Sequence, residues 1–150
     1  MRRLIVPVLL MLSAACSPGG SSEELPPDSD IAPADTAGLA GTQWVLAELP
    51  GTADITGNGG RMPDLQFGED GNAGGFSGCN SMGGPYTVSG SSLDFGPMAM
   101  TMMACAQGME VERAYADALE RVTRYRRSGN TLELMDADGV VARFTERIEE

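Results

Sequence analysis

The sequence predicts a mainly β, α+β fold: a small antiparallel sheet curled into a barrel-like shape, with one α-helix packed against it. Three observations carry this. Short apolar or alternating runs recur between turns rich in Gly, Asn, Asp and Ser. A single later segment has helical rather than strand spacing. The chain has 150 residues, which supply one domain of ordinary size, so strands and helix must share one core.

The elements follow in order. Trp44-Val45-Leu46-Ala47 reads as a strand between Gly41-Thr42 and the turn Leu49-Pro50-Gly51. Thr52 to Met62 is polar, Gly-rich loop. Asp64-Leu65-Gln66-Phe67 alternates and ends at Gly68-Glu69-Asp70-Gly71, a hairpin signal; a Gly-rich strand then runs from Asn72 through Phe76 towards Asn80. Tyr86-Thr87-Val88 and Leu93-Asp94-Phe95 flank a second hairpin turn, Ser89 to Ser92. Pro97 to Cys105 is an apolar run in which Met98, Met100 and Met102 would share one strand face. Val111, Ala114, Tyr115, Ala118, Leu119 and Val122 make a helical stripe, with Glu110 and Glu112 at its start and Arg121 and Arg124 at its end, each matched to the helix dipole. Tyr115 is its largest apolar anchor. Tyr125-Arg126-Arg127, Thr131 to Met135 and Val140 to Phe144 close the domain as a meander, and closure of the sheet removes exposed edges.

Several motifs stand in a telling order: Gly41-Thr42-Gln43-Trp44-Val45-Leu46; Gly78-Cys79-Asn80 with Tyr86 shortly after; Leu93-Asp94-Phe95 leading into Thr101-Met102-Met103-Ala104-Cys105; then Glu110 and the Tyr115 helix. Together they resemble the META domain of the HslJ family, over about residues 39 to 145. The resemblance implies a small, mostly β, barrel-like module with one helix, often exported or lipid-anchored. It also implies a part in stress and drug tolerance, with no catalytic reaction attached. Where relatives commonly carry a basic residue and an aromatic after Gly-Cys-Asn, this chain has Ser81 and Met82.

The amino end gives an address. Met1-Arg2-Arg3 precedes the apolar run Leu4 to Leu12 and the small residues Ser13-Ala14-Ala15, so residues 1–15 read as a signal peptide too short to span a bilayer. Ser13-Ala14-Ala15-Cys16 resembles a bacterial lipobox, with Ser13 where Leu is commonest. That resemblance implies cleavage before Cys16 and lipidation of its thiol and new amine. Residues 16–38 then form an acidic tether rich in Ser, Pro, Gly and Ala, which lacks the apolar surface to offset its ordering entropy. The domain proper is expected over 39–150. The expected location is the cell envelope, anchored to a membrane and facing the periplasm, with Ser17 favouring the outer membrane by resemblance to enterobacterial lipoproteins.

Charge and composition exclude much chemistry. Ten basic residues face 21 acidic ones; all ten are Arg, with no Lys and no His. Ser-His-Asp and Cys-His sites, HExxH zinc chemistry, a P-loop and a Schiff base therefore all lack a required residue. A net charge of −11 argues against nucleic acid. No catalytic residue, metal site or cofactor is assigned, and the expectation is a monomeric, non-enzymatic protein that binds an envelope protein or a small apolar ligand.

Cys79 and Cys105 are the cysteines left once Cys16 is lipidated. In an oxidising envelope they favour a disulfide, over two inert thiols or a redox pair. Met98, Met100, Met102 and Met103 form a candidate ligand groove: core filler is the commonest role of such methionines, an apolar-ligand surface or a Cu(I) carrier the sharper ones. Arg121, Arg124, Arg126 and Arg127 read as a solvated surface neutralising acidic neighbours, ahead of a phosphate grip. Gly71, Gly74, Gly75 and Gly78 fit tight packing better than a phosphate loop, and Asp136-Ala137-Asp138-Gly139 fits a turn better than a calcium loop.

Overall fold

A computed structural model of the chain describes residues 39–148; the expected signal peptide, Cys16 and the expected tether lie outside the described residues. Nine strands and one helix follow in the order β1 (Gln43–Glu48), β2 (Asp64–Phe67), β3 (Asn72–Phe76), β4 (Ser81–Ser89), β5 (Ser92–Phe95), β6 (Ala99–Met100), α1 (Met109–Glu120), β7 (Arg124–Ser128), β8 (Thr131–Met135) and β9 (Val140–Glu146). The strands pair antiparallel in the order β3-β2-β1-β9-β8-β7-β5-β4, and a further β3–β4 pairing turns this row into a ring, with β6 alongside β4. The expected mainly β architecture with one packed helix is what forms.

The ring has a plain physical cause. Alternation along each strand sends one set of side chains inward: Trp44 and Leu46, Leu65 and Phe67, Leu132 and Leu134, Ala142 and Phe144 are all essentially inaccessible to water. One face of α1 joins them through Val111, Tyr115, Ala118 and Leu119. The Tyr115 ring meets Phe144 at 6.0 Å, and its hydroxyl donates to the Asp64 carbonyl oxygen at 3.4 Å. Phe67 touches Tyr86 edge-on at 5.0 Å and stacks with Phe95 at 6.0 Å, tying β2 to the β4–β5 hairpin across the interior.

Four details differ from the sequence expectation. The Gly-rich strand stops at Phe76, and Ser77 to Asn80 form an irregular turn. β4 begins at Ser81, five residues before Tyr86, because β3 supplies a full ladder for Ser81 to Pro85. The apolar run after Pro97 yields only the two-residue β6. The helix ends at Glu120, leaving no basic residue in its last turn: Arg121 caps it and Arg124 already belongs to β7.

The four arginines spread over acidic and carbonyl partners as expected. Arg121 pairs with Asp136 at 3.3 Å, Arg124 donates to the Asp136 carbonyl at 2.9 Å, Arg126 pairs with Glu133, and Arg127 pairs with Glu146 at 3.1 Å. Asp136 Oδ1 accepts from the backbone N–H groups of Asp138 and Gly139, at 2.8 and 3.0 Å, which makes that segment a turn closed on itself.

Candidate functional site: a clasp and a methionine-lined cavity

Two of the motifs that carry the family resemblance, Gly78-Cys79-Asn80 and Thr101 to Cys105, meet at the start of α1. The turn Ser77-Gly78-Cys79-Asn80 lies against the start of α1, and the approach is so close that neither facing residue tolerates a side chain. A Cβ on Gly78, whose φ is +129°, would come within 2.6 Å of Val111 Cγ1; one on Gly108, the helix N-cap residue with φ +86°, would collide with the Gly78 carbonyl oxygen. Only glycine fits such positions.

Into this contact α1 inserts Glu112, a buried carboxylate. Its Oε2 accepts from the backbone N–H of Asn80 at 2.7 Å and of Cys79 at 3.3 Å, and its Oε1 accepts from Asn80 Nδ2 at 3.0 Å. The Ser77 hydroxyl lies 2.7 Å from both Oε2 and the Asn80 carbonyl oxygen; its one proton goes to the charged acceptor, the stronger of the two. Burial works to raise the Glu112 pKa. The donors from Ser77, Asn80 and Cys79 outweigh it, and the carboxyl sits below its usual range. Its place in the first helical turn favours the charge further. A carboxylate so ringed by donors is poised to stay ionised and fixed, not to shuttle protons.

Asn80 extends the arrangement outward with every polar atom of its amide engaged. Oδ1 accepts from Thr101 Oγ1 at 2.9 Å and from the Met103 N–H at 2.7 Å; Nδ2 donates to the Met103 carbonyl at 3.1 Å as well as to Glu112. Cys79 and Cys105 form a disulfide, with Cα atoms 5.8 Å apart. Asn80 and the disulfide thus pin the segment from Thr101 to Cys105 at both ends. Sequence reasoning found the cysteines, read Glu112 only as a charge at the helix start and Asn80 only as part of a motif, and passed over Ser77; the available signal was a polar turn and an acidic first helical turn, which apolar periodicity does not pair.

The pinned segment departs from strand geometry, so the four expected groove residues separate. Met98 and Met100 line a cavity of about 310 Å³ together with Met82, Phe95, Leu119 and Glu120. Met102 and Met103 do not. They stand on the outside, 97% and 58% exposed, because the backbone turns towards Asn80 after Met100 instead of continuing the alternation. The stripe through Met102 expected of a continuous strand is therefore corrected: it ends at Met100.

The comparisons with known proteins agree with this architecture. The META domain family profile matches residues 37–149. A protein from Burkholderia xenovorans, solved by NMR, is 29% identical and superposes with a TM-score of 0.63, over 91% of this chain and 100% of that one. A second NMR structure is 26% identical with a TM-score of 0.57, over 71% and 90%. A crystal structure of a DUF4847 family protein from Bacteroides vulgatus shares the fold alone, at 14% identity and a TM-score of 0.54, over 76% of this chain and 98% of that one. No curated protein matches the sequence. The profile spans the whole ring, the helix and the clasp between them, and the chain belongs to the META domain family.

Proposed function

We propose that this chain is a non-enzymatic, lipid-anchored protein of the cell envelope whose META domain works by binding a partner protein, in the setting of envelope stress or drug tolerance that the HslJ resemblance implies. One observation carries the reading: two large apolar side chains, Met102 and Met103, are held out in water on a segment fixed by the Cys79–Cys105 disulfide and the Asn80 amide. Exposed apolar side chains gain by being covered, and methionine adapts its shape to what covers it. A segment already fixed loses little entropy on binding. A non-enzymatic role is supported by the lack of Lys and His and by a buried carboxylate whose contacts are all donors.

The lipobox-like Ser13 to Cys16 supports the anchor, and the Pro-containing acidic segment after it supports reach away from the bilayer. Without residues 1–15 the chain keeps eight basic residues against 21 acidic ones, a charge of −13 that anionic lipid repels. The test is a photoreactive residue at position 102 in living cells. A discrete crosslinked product that Met103→Ser diminishes, and that a photoreactive residue at position 126 does not give, is expected. Equal labelling from both positions, or turnover of any substrate by the purified protein, overturns the proposal. Cys16→Ala is expected to shift the protein from the membrane to the soluble envelope fraction; retention in membranes refutes the anchor.

A further inference from the structure

The cavity beside α1 has a donor set that partner binding does not use. Met82 on β4 stands directly across from Met100 on β6, and partners in an antiparallel ladder place their Cβ atoms about 4.5–5.5 Å apart on one face. Two residues further along β4, on that same face, stands Gly84, and the Pro97–Met98 segment packs into the space its missing side chain leaves: a Cβ there would lie 2.5 Å from the Pro97 carbonyl oxygen and 2.9 Å from Met98 Sδ. Three thioether side chains thus rise from neighbouring positions at the β4–β6 corner, and all three line the same cavity. Met82 is buried, Met98 and Met100 half-buried. The Met100 sulfur lies 3.8 Å from the Ser77 hydroxyl, at the floor of the clasp. The charged residue in the lining is the acidic Glu120, exposed at the edge; among the described residues no arginine lines it.

Thioethers are soft, neutral donors. They bind soft monovalent ions and ignore hard ones such as Mg(II) and Ca(II). An apolar lining with one carboxylate at its edge suits a single positive charge, and the strongly acidic chain draws cations towards it. We propose that Met82, Met98 and Met100 form a site for Cu(I), entered past Glu120. The inference is independent of the partner-binding reading, because Met102 and Met103 lie outside the cavity.

The test uses the full chain with its methionine methyl groups isotopically labelled, titrated with Ag(I), a redox-inert probe of Cu(I) sites, in chloride-free buffer and followed by NMR. The methyl signals of Met82, Met98 and Met100 are expected to move together and saturate at one equivalent, while those of Met102 and Met103 stay in place. Competition against a Cu(I) chelator is expected to give the same stoichiometry. Removing a second-shell partner alone costs a metal site about 10–100-fold in affinity, so replacing two direct donors in Met98→Leu/Met100→Leu is expected to cost at least as much. Leucine nearly conserves the volume, so the thermal midpoint should hold. Should that variant fail to fold, Glu120→Gln, at an exposed position, is expected to weaken binding with the fold intact. Movement of Met102 or Met103 first, absence of saturation, undiminished affinity in the variants, or an apolar molecule co-purifying in the cavity overturns the proposal.

Discussion

Replacing Glu112 by Gln changes the clasp with almost no change in shape. Glutamine offers one acceptor oxygen and an NH2 group. With its oxygen at the Oε2 position it still accepts from Ser77, Cys79 and Asn80 N–H, now as a neutral partner. Its NH2 then faces Asn80 Nδ2, donor against donor. Asn80 cannot turn over to relieve this, because its Oδ1 already serves Thr101 and Met103. A hydrogen bond to a charged partner contributes about 1.5–3 kcal/mol and a neutral one about 0.5–1.5, so three weakened bonds cost about 3 kcal/mol and the orphaned donor about 1–3 more. The lower cost of burying a neutral group returns part of this. A net destabilisation of about 3 kcal/mol is expected, which is a fall of about 1.5 M in the urea midpoint for an m-value near 2 kcal/mol/M.

The pH dependence is a second reading of the same substitution. Because the Glu112 pKa is lowered in the folded state, its stabilisation is fully present above the unfolded value of about 4.3 and fades as pH falls through the folded value. The gap between Glu112 and Gln should therefore be constant from pH 7 to about 5 and narrow at lower pH. Urea unfolding of both proteins across that range is the assay. A gap below about 0.5 kcal/mol at neutral pH, the size of an ordinary surface substitution, or one that does not change in acid, refutes the assigned role of the carboxylate.

Cys79→Ser removes a bridge that spans 26 residues in sequence and should cost about 3.5 kcal/mol under oxidising conditions but much less in reductant; equal losses in both would assign the effect to packing. Tyr115→Ala empties the interior between α1 and β9 and should cost about 3–5 kcal/mol in denaturant unfolding, and a neutral result would place the ring in water, against its full burial.

The strands with turn chemistry at both ends were legible in the sequence, as was the helix, because Val111, Tyr115, Ala118 and Leu119 repeat with its period and are all buried. The first half of β4 was not. Gly83-Gly84-Pro85 carries no strand propensity, and the segment is extended because β3, itself Gly-rich, pairs with it residue by residue from Asn72 to Phe76 while β6 pairs with Met82 and Gly83 on its other side. The helix stripe also read one turn too far, since Val122 keeps the spacing and is buried although the helix has already ended. At the candidate site the cysteines and the cluster of methionines were visible, but the division of that cluster into two inside and two outside was not. It depends on the Asn80 amide taking the backbone of Met103, a contact between residues 23 apart that no local pattern encodes.

The ring is not equally thick all the way round. Where β8 and β9 meet, five ladder pairs hold the joint; where β5 meets β7 there is a single pair, Ser92 with Arg124. Two backbone bonds flank it, Leu93 N–H to Thr123 O at 3.1 Å and Tyr125 N–H to Ser91 O at 3.0 Å. This is the weakest joint of the ring. Thermal breathing should part the wall here first, and deuterium should reach the Leu93 and Tyr125 amides before those of Leu132 and Leu134 on β8, although all four side chains are equally dry.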